Sequence, residues 1–333
     1  MSIKLFTQIT EKIDKLSCIQ QLTLVVGVML LTCIIIKISN RLLGQDNIRI
    51  EAYRNFGLID GNVAGSNSSG FILKQDDQMV DDLYGSMYDL LEYNKVRNQF
   101  EIGAIIDTCS PTSQSIILDI GTGGGHHVNQ LNNISKQVIG IDKSPILIQM
   151  ACDNYPSLSA NFENKDVFDN ISFNNNSFTH ILCLNNTLYY SENKKLFLEN
   201  CYNWLMPGGF LVLRLIKKSD LNALNKIKTI RRNVFPSFVP SELLLTEDIK
   251  FKNFIYKPEY ISVNDIITIF KEDFKFNNGE IRQNERKLYI PSPKSILDIA
   301  RYIGFIELKM YKNDGLIDDT GDISYLYILQ KPN

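Results

Sequence analysis

Asp119 and Asp142 flank a run of glycines, Gly121-Thr-Gly-Gly-Gly125. Glycine lets a backbone turn tightly and bring its N–H groups against a ligand. A carboxylate offers two acceptor oxygens and no donor, which suits a pair of neighbouring hydroxyls such as those of a ribose. Asp142 follows Gly121 by 21 residues, close to the interval at which an acid ending a second strand meets a ribose. The set points to a ligand with a nucleoside part. It fits the dinucleotide fingerprint poorly, because His126 stands where a third Gly or Ala is required, so an NAD-dependent oxidoreductase is the disfavoured alternative.

The elements that must position these residues are readable around them. Ile116-Ile-Leu-Asp-Ile120 is a short apolar run rich in β-branched residues, and it predicts a buried strand that stops at the glycines. His126 to Leu131 predicts the first turns of a helix. Gln137-Val-Ile-Gly-Ile-Asp142 predicts a second strand, and Lys143-Ser-Pro145 starts another helix with proline in its first turn. Two amphipathic helices precede this unit, one from Gln78 onward and one at about Val96–Thr108. A weakly patterned third strand runs to Asp166, and a fourth covers Phe178 to Asn185. Ser191–Leu205 predicts a helix stopped by Pro207-Gly-Gly209, with a fifth strand at Phe210–Ile216.

With Asp-x-Gly-x-Gly-x-Gly, the acid after the second strand and Leu205-x-Pro-Gly-Gly209 on the page, the chain resembles the class I S-adenosylmethionine (SAM)-dependent methyltransferases, type 11-like. The resemblance covers roughly residues 78–216 and 290–331. It implies a three-layer α/β Rossmann-like fold with a seven-stranded, mostly parallel sheet and an antiparallel last strand. It implies SAM as cofactor, with Asp119, Gly121, Thr122 and Gly123 around its amino-acid part and Asp142 and Lys143 at the ribose. Asp166 and Val167 then meet the adenine, Asn185 the transferring methyl, and Asn186, Tyr189 and Tyr190 position the acceptor. The two leading helices cover the pocket, where Tyr84 either meets the cofactor's carboxylate or packs on its own fold. His180, mid-strand, reads as a core histidine. The signature sequences of nucleobase methylation are absent, and no general base stands out.

Composition bounds the rest. The 333 residues carry a net charge of −2, which gives no sign of a nucleic-acid partner. Six cysteines show no CxxC spacing, so neither a metal site nor a disulfide framework is expected. No charge occurs between Lys15 and Lys37, a span of 21 residues long enough to cross a bilayer as a helix at about 18–38. Lys37, Arg41, Arg49 and Arg54 follow it and Lys4, Lys12 and Lys15 precede it, a bias toward a cytosolic catalytic domain. A virion component is a further placement, from a likeness to proteins of membrane-bearing large DNA viruses.

The expected organisation is an N-terminal segment 1–44, a linker 45–76 and a methyltransferase domain 77–331 with a cap inserted at about 219–289. The cap starts beside a basic, partly aromatic stretch from Lys217 to Phe238, reads as a hairpin around Asn277-Asn-Gly-Glu280, and sets acceptor specificity. The expected reaction moves methyl from SAM to an O or N nucleophile on a small-molecule, lipid-linked or protein acceptor. A non-catalytic, membrane-anchored module of the same fold is the other alternative.

Overall fold

Period-two burial organises the strands at the centre of the chain. In the computed structural model, residues 70–169, 173–218, 249–314 and 323–333 are described, and all lie in one compact unit, Ala64–Asn333. In chain order the strands are β1 Phe71–Gln75, β2 Ile116–Ile120, β3 Gln137–Asp142, β4 Phe162–Asn164, β5 Phe178–Cys183, β6 Leu205–Leu215, β7 Ile249–Lys250, β8 Phe254–Ser262, β9 Ile267–Phe276, β10 Ile281–Tyr289, β11 Ile306–Asp314 and β12 Ile323–Gln330. The helices are α1 Asp82–Glu92, α2 Lys95–Cys109, α3 His126–Leu131, α4 Pro145–Asn154, α5 Lys194–Trp204 and α6 Pro293–Ile303. Short 3₁₀ turns span Asp76–Met79 and Asn186–Tyr190.

Seven strands form one sheet in the order β11-β12-β6-β5-β2-β3-β4. β2 is parallel to β3 and β5, β3 to β4, and β5 to β6, whereas β12 runs antiparallel to both β6 and β11. Leu118, Ile120, Ile181, Cys183, Leu211 and Leu213 face α5 and α6, packing with Phe197, Trp204, Ile296 and Ala300. Ile117, Leu182 and Val212 face the other layer, with Ile102 and Ile105 of α2, Val128 of α3 and Ala151 of α4. This alternation is what a sheet covered on both faces requires. From β2 the chain builds outward through β3 and β4, then returns to lay β5 on the opposite side. That reversal opens a crevice at the carboxyl ends of β2, β3 and β5, where sheets of this kind hold ligands.

A second sheet, in the order β1-β10-β9-β8-β7, forms the cap. β9 and β10 pair antiparallel around the Asn277-Asn-Gly-Glu280 turn, with Gly279 at φ +89. β1 joins the cap as a parallel edge strand, with Phe71 opposite Ile281. The linker expected over 45–76 therefore ends before Phe71: these residues take up the free edge of the cap sheet, and the Asp76–Met79 turn leads directly into α1. Tyr84 and Met87 of α1 pack against Phe254, Tyr256 and Phe274 of the cap.

The helix before β6 ends at Trp204, and Leu205-Met-Pro-Gly-Gly209 is already extended, held where Gly208 N–H donates to Lys331 O at 2.9 Å. The expected membrane segment at 18–38 and residues 219–248 of the cap insertion lie outside the described residues. Among the described residues, no helix is long and apolar enough to cross a membrane.

Candidate functional site

The glycine turn is tied to the neighbouring strand before any ligand is considered. Gly121 and Thr122 N–H both donate to Ile141 O, at 2.8 and 3.0 Å. Gly121 sits at φ +71, and a Cβ there would lie 1.9 Å from Thr187 Oγ1. The turn is thus a close crossing between the end of β2 and the segment after β5, and only glycine fits.

Asp142, at the end of β3, is half-buried and faces a cavity of about 560 Å³ over the carboxyl ends of the strands. Its Oδ2 accepts from Gly123 N–H at 3.2 Å and its Oδ1 from Ser144 N–H at 3.0 Å. Each oxygen keeps a lone pair for one more donor, the requirement for gripping two ribose hydroxyls. Burial raises the carboxyl above its ordinary range, and the two N–H groups oppose that shift. Lys143 lines the same cavity and pairs with Asp77.

The far end of the cavity fits an adenine. Asp166, Val167 and Phe168 follow β4, and Ile141, Pro145 and Leu147 supply an apolar floor. Asp166 Oδ1 caps its own loop by accepting from Phe168 N–H at 2.9 Å, while Asn200 Nδ2 fixes Val167 O at 2.9 Å. The free lone pairs of Asp142, the apolar floor and the cavity volume together fit a nucleoside cofactor.

Three residues expected at the cofactor do not line this cavity. Asp119 is 2% exposed, and its Oδ2 accepts from Thr122 Oγ1 at 2.8 Å beneath the turn. Burial raises its carboxyl, with His127 and the Thr122 hydroxyl acting the other way. It shares the buried side of the turn with His127, whose Nε2 lies 2.9 Å from Glu101 Oε2. Asp119 and Thr122 therefore satisfy each other, and their role is to hold the turn. Gly123 contributes its N–H to Asp142, and Tyr88 covers it: a Cβ there would come 2.9 Å from the ring.

The acceptor candidates separate likewise. Asn185 lines the cavity and donates to Gly121 O at 3.4 Å. Tyr190 lines it too, with Arg286 of β10 over its ring at 4.5 Å. Tyr189 is fully buried, and its hydroxyl accepts from Ile216 N–H at 2.8 Å, so it anchors the turn to the strand end and cannot face an acceptor. Asn186 does not line the cavity, and its Oδ1 is buried without a hydrogen-bond partner among the described residues. The turn is pinned from below by Lys194, which donates to Leu188 O and Ser191 O; burial pulls its amine down to about 7.

Tyr84, weighed for the cofactor's carboxylate, points the other way. Its hydroxyl donates to Glu272 Oε1 of β9 at 3.2 Å, inside the cap interface. Of the two leading helices, α1 reaches the cavity through Tyr88, whereas α2 packs on the outer layer with α3. His180 is 4% exposed and bonds Cys109 O through Nε2 at 3.3 Å; burial lowers its basicity, as a core histidine requires.

Thr187, Glu192, Arg286 and Tyr289 line the cavity without having been anticipated. Thr187 had a signal, since something must fill the space opposite a glycine forced to positive φ. Arg286 had none: Arg282-Gln-Asn-Glu-Arg-Lys287 is polar throughout, so alternation cannot tell an inward side chain from an outward one.

Residues 117–209, which carry this turn and crevice, match a family model described as a methyltransferase domain. Among solved structures, the chain is similar to a SAM-dependent methyltransferase from Clostridium acetobutylicum, at 14% identity over 75% of this chain and 97% of that one, TM-score 0.55. It is similar to the sugar N-methyltransferase KedS8 from Streptoalloteichus, at 14% identity over 82% and 97%, TM-score 0.53. A third similarity is to SAM-bound CalS10, an amino pentose methyltransferase from Micromonospora echinaspora, at 14% identity over 75% and 96%, TM-score 0.50. No curated protein matches the chain. Residues 117–209 are thus similar to a methyltransferase domain, and the solved SAM-dependent methyltransferases share the fold of this chain.

Proposed function

We propose that this protein transfers the methyl group of SAM to an O or N nucleophile of a small-molecule acceptor taken up between the sheet edge and the cap. The observation that carries the reading is the placement of Asp142, with a free lone pair on each oxygen, in a 560 Å³ cavity roofed by β10. A roofed cavity suits a small molecule better than a protein side chain on its own backbone. The structural neighbours named as sugar and amino pentose methyltransferases point the same way by analogy of fold.

SAM supplies a methyl group on a sulfonium, already a good leaving group, so the chain's contribution is placement. Asp142 orients the ribose, Val167 and Phe168 enclose the base, and Asn185 and Tyr190 bound the space where a nucleophile must approach in line. Held in that geometry, the two reactants need little further chemical help. An amine acceptor can arrive neutral and lose its proton to water afterwards.

The uncharged run between Lys15 and Lys37 supports a membrane-anchored enzyme with its catalytic unit in the cytosol. Labelled-methyl transfer from SAM, assayed on soluble and membrane extracts of cells making the full chain, tests the whole reading. Label should enter a low-molecular-weight product. Binding of SAM without transfer to any fraction would instead favour a non-catalytic module.

A further inference from the structure

The cavity is lined by three cations, Lys143, Lys165 and Arg286. Lys143 is matched by Asp77 and Lys165 by Glu163, at 2.8 Å in the second case. Arg286 is not matched in this way. Among the described residues it has no close carboxylate pair: it lies over the ring of Tyr190 at 4.5 Å, with Glu272 and Asp142 acting on it only through their field. The two acids whose field reaches it are each hydrogen-bonded to other donors. Glu272, behind it in the cap, accepts from Tyr256 at 2.7 Å, Tyr84 at 3.2 Å and Asn284 at 3.4 Å, all neutral donors. Asp142 holds two backbone N–H groups and is committed to the ribose.

A guanidinium keeps its charge at any accessible pH, and enclosing it without a close, hydrogen-bonded counter-charge is unfavourable. Its planar fork matches a carboxylate or phosphate, to which it can donate two parallel hydrogen bonds. Arg286 belongs to the cap and stacks on Tyr190, the last residue of the 3₁₀ turn after β5, on the acceptor side of the crevice. We propose that the methyl acceptor is an anion, held through a carboxylate or phosphate by Arg286, so that the cap selects acceptors by charge. This rests on the methyl-transfer reading above and specifies its acceptor.

The test uses the full chain saturated with S-adenosylhomocysteine and three aromatic probes of similar size: benzoate, phenyl phosphate and benzyl alcohol. Titration calorimetry should show at least one of the two anions binding about tenfold or more tighter than the alcohol, the scale of a charge-assisted contact. The better anion identifies the headgroup. Arg286→Gln should abolish that preference and Arg286→Lys should retain part of it, while SAM affinity stays within about twofold. Equal binding of all three probes by the wild type, or binding of none, overturns the proposal. So does an Arg286→Gln protein that keeps the preference but loses SAM, which would give the guanidinium to the cofactor's own carboxylate. Failure of the wild type to bind SAM or S-adenosylhomocysteine would sink the underlying reading instead.

Discussion

Gly123 and Asp142 are bonded directly: the glycine N–H donates to the carboxylate Oδ2 at 3.2 Å, joining the turn after β2 to the end of β3. The turn and the acid are therefore one unit. A ligand that engages Asp142 meets a carboxylate already aimed by backbone, with no side-chain freedom left to lose. The same bond helps a half-buried carboxylate remain in the cavity, since two N–H groups partly oppose the effect of its burial.

Gly121→Ala tests the close crossing beneath the site. The new Cβ meets Thr187 and must adopt positive φ, which alone costs roughly 1–2 kcal/mol. Thermal unfolding should shift down by several degrees. The double variant Gly121→Ala/Thr187→Ala should recover part of the loss, because only the clash is relieved. Full recovery would show that the backbone conformation is unstrained.

Tyr189→Phe separates anchoring from catalysis. Removing the hydroxyl leaves Ile216 N–H unpaired in the core, a loss of about 1–3 kcal/mol. The melting temperature should fall while SAM affinity stays unchanged. A variant of wild-type stability with impaired methyl transfer would return Tyr189 to the acceptor.

Glu272 gives the cap a pH signature. Burial, followed by the field of Glu92, pushes its carboxyl up to about 7 from an ordinary value of 4.5. The folded protein therefore holds this proton more tightly than the unfolded chain does. On this group's account, stability is highest at low pH and is lost as pH rises from about 4.5 through about 7. Glu272→Gln removes the titration, so its melting temperature relative to wild type should climb between pH 5 and pH 8. A difference that is flat across that range would show that Glu272 titrates normally.

Much of the cofactor side was legible in the sequence, because it rests on apolar runs interrupted by glycines. β2, the turn, β3 and Asp142 lie where the patterning put them, and so does the Asn277–Glu280 hairpin turn, while the antiparallel last strand is where the resemblance put it. Asp119 was misdirected by its place in a motif. Strand alternation already held the answer: Ile117 faces α2 and α3, so Asp119, two residues on, must face the same layer. β1 was hidden for another reason. Phe71-Ile-Leu is apolar but short, and it becomes a strand only because β10, more than 200 residues away, offers it an edge. Tyr189 and Tyr190 are adjacent and identical in type, so only the structure could tell the anchor from the cavity wall.

The most direct test of the central claim is calorimetric titration of the full chain with SAM, wild type beside Asp142→Ala. The account predicts saturable binding by the wild type and a loss of affinity of about tenfold or more in the variant, with a melting transition retained. Equal affinity for SAM in both proteins would contradict it, and so would a wild type that binds NAD in place of SAM.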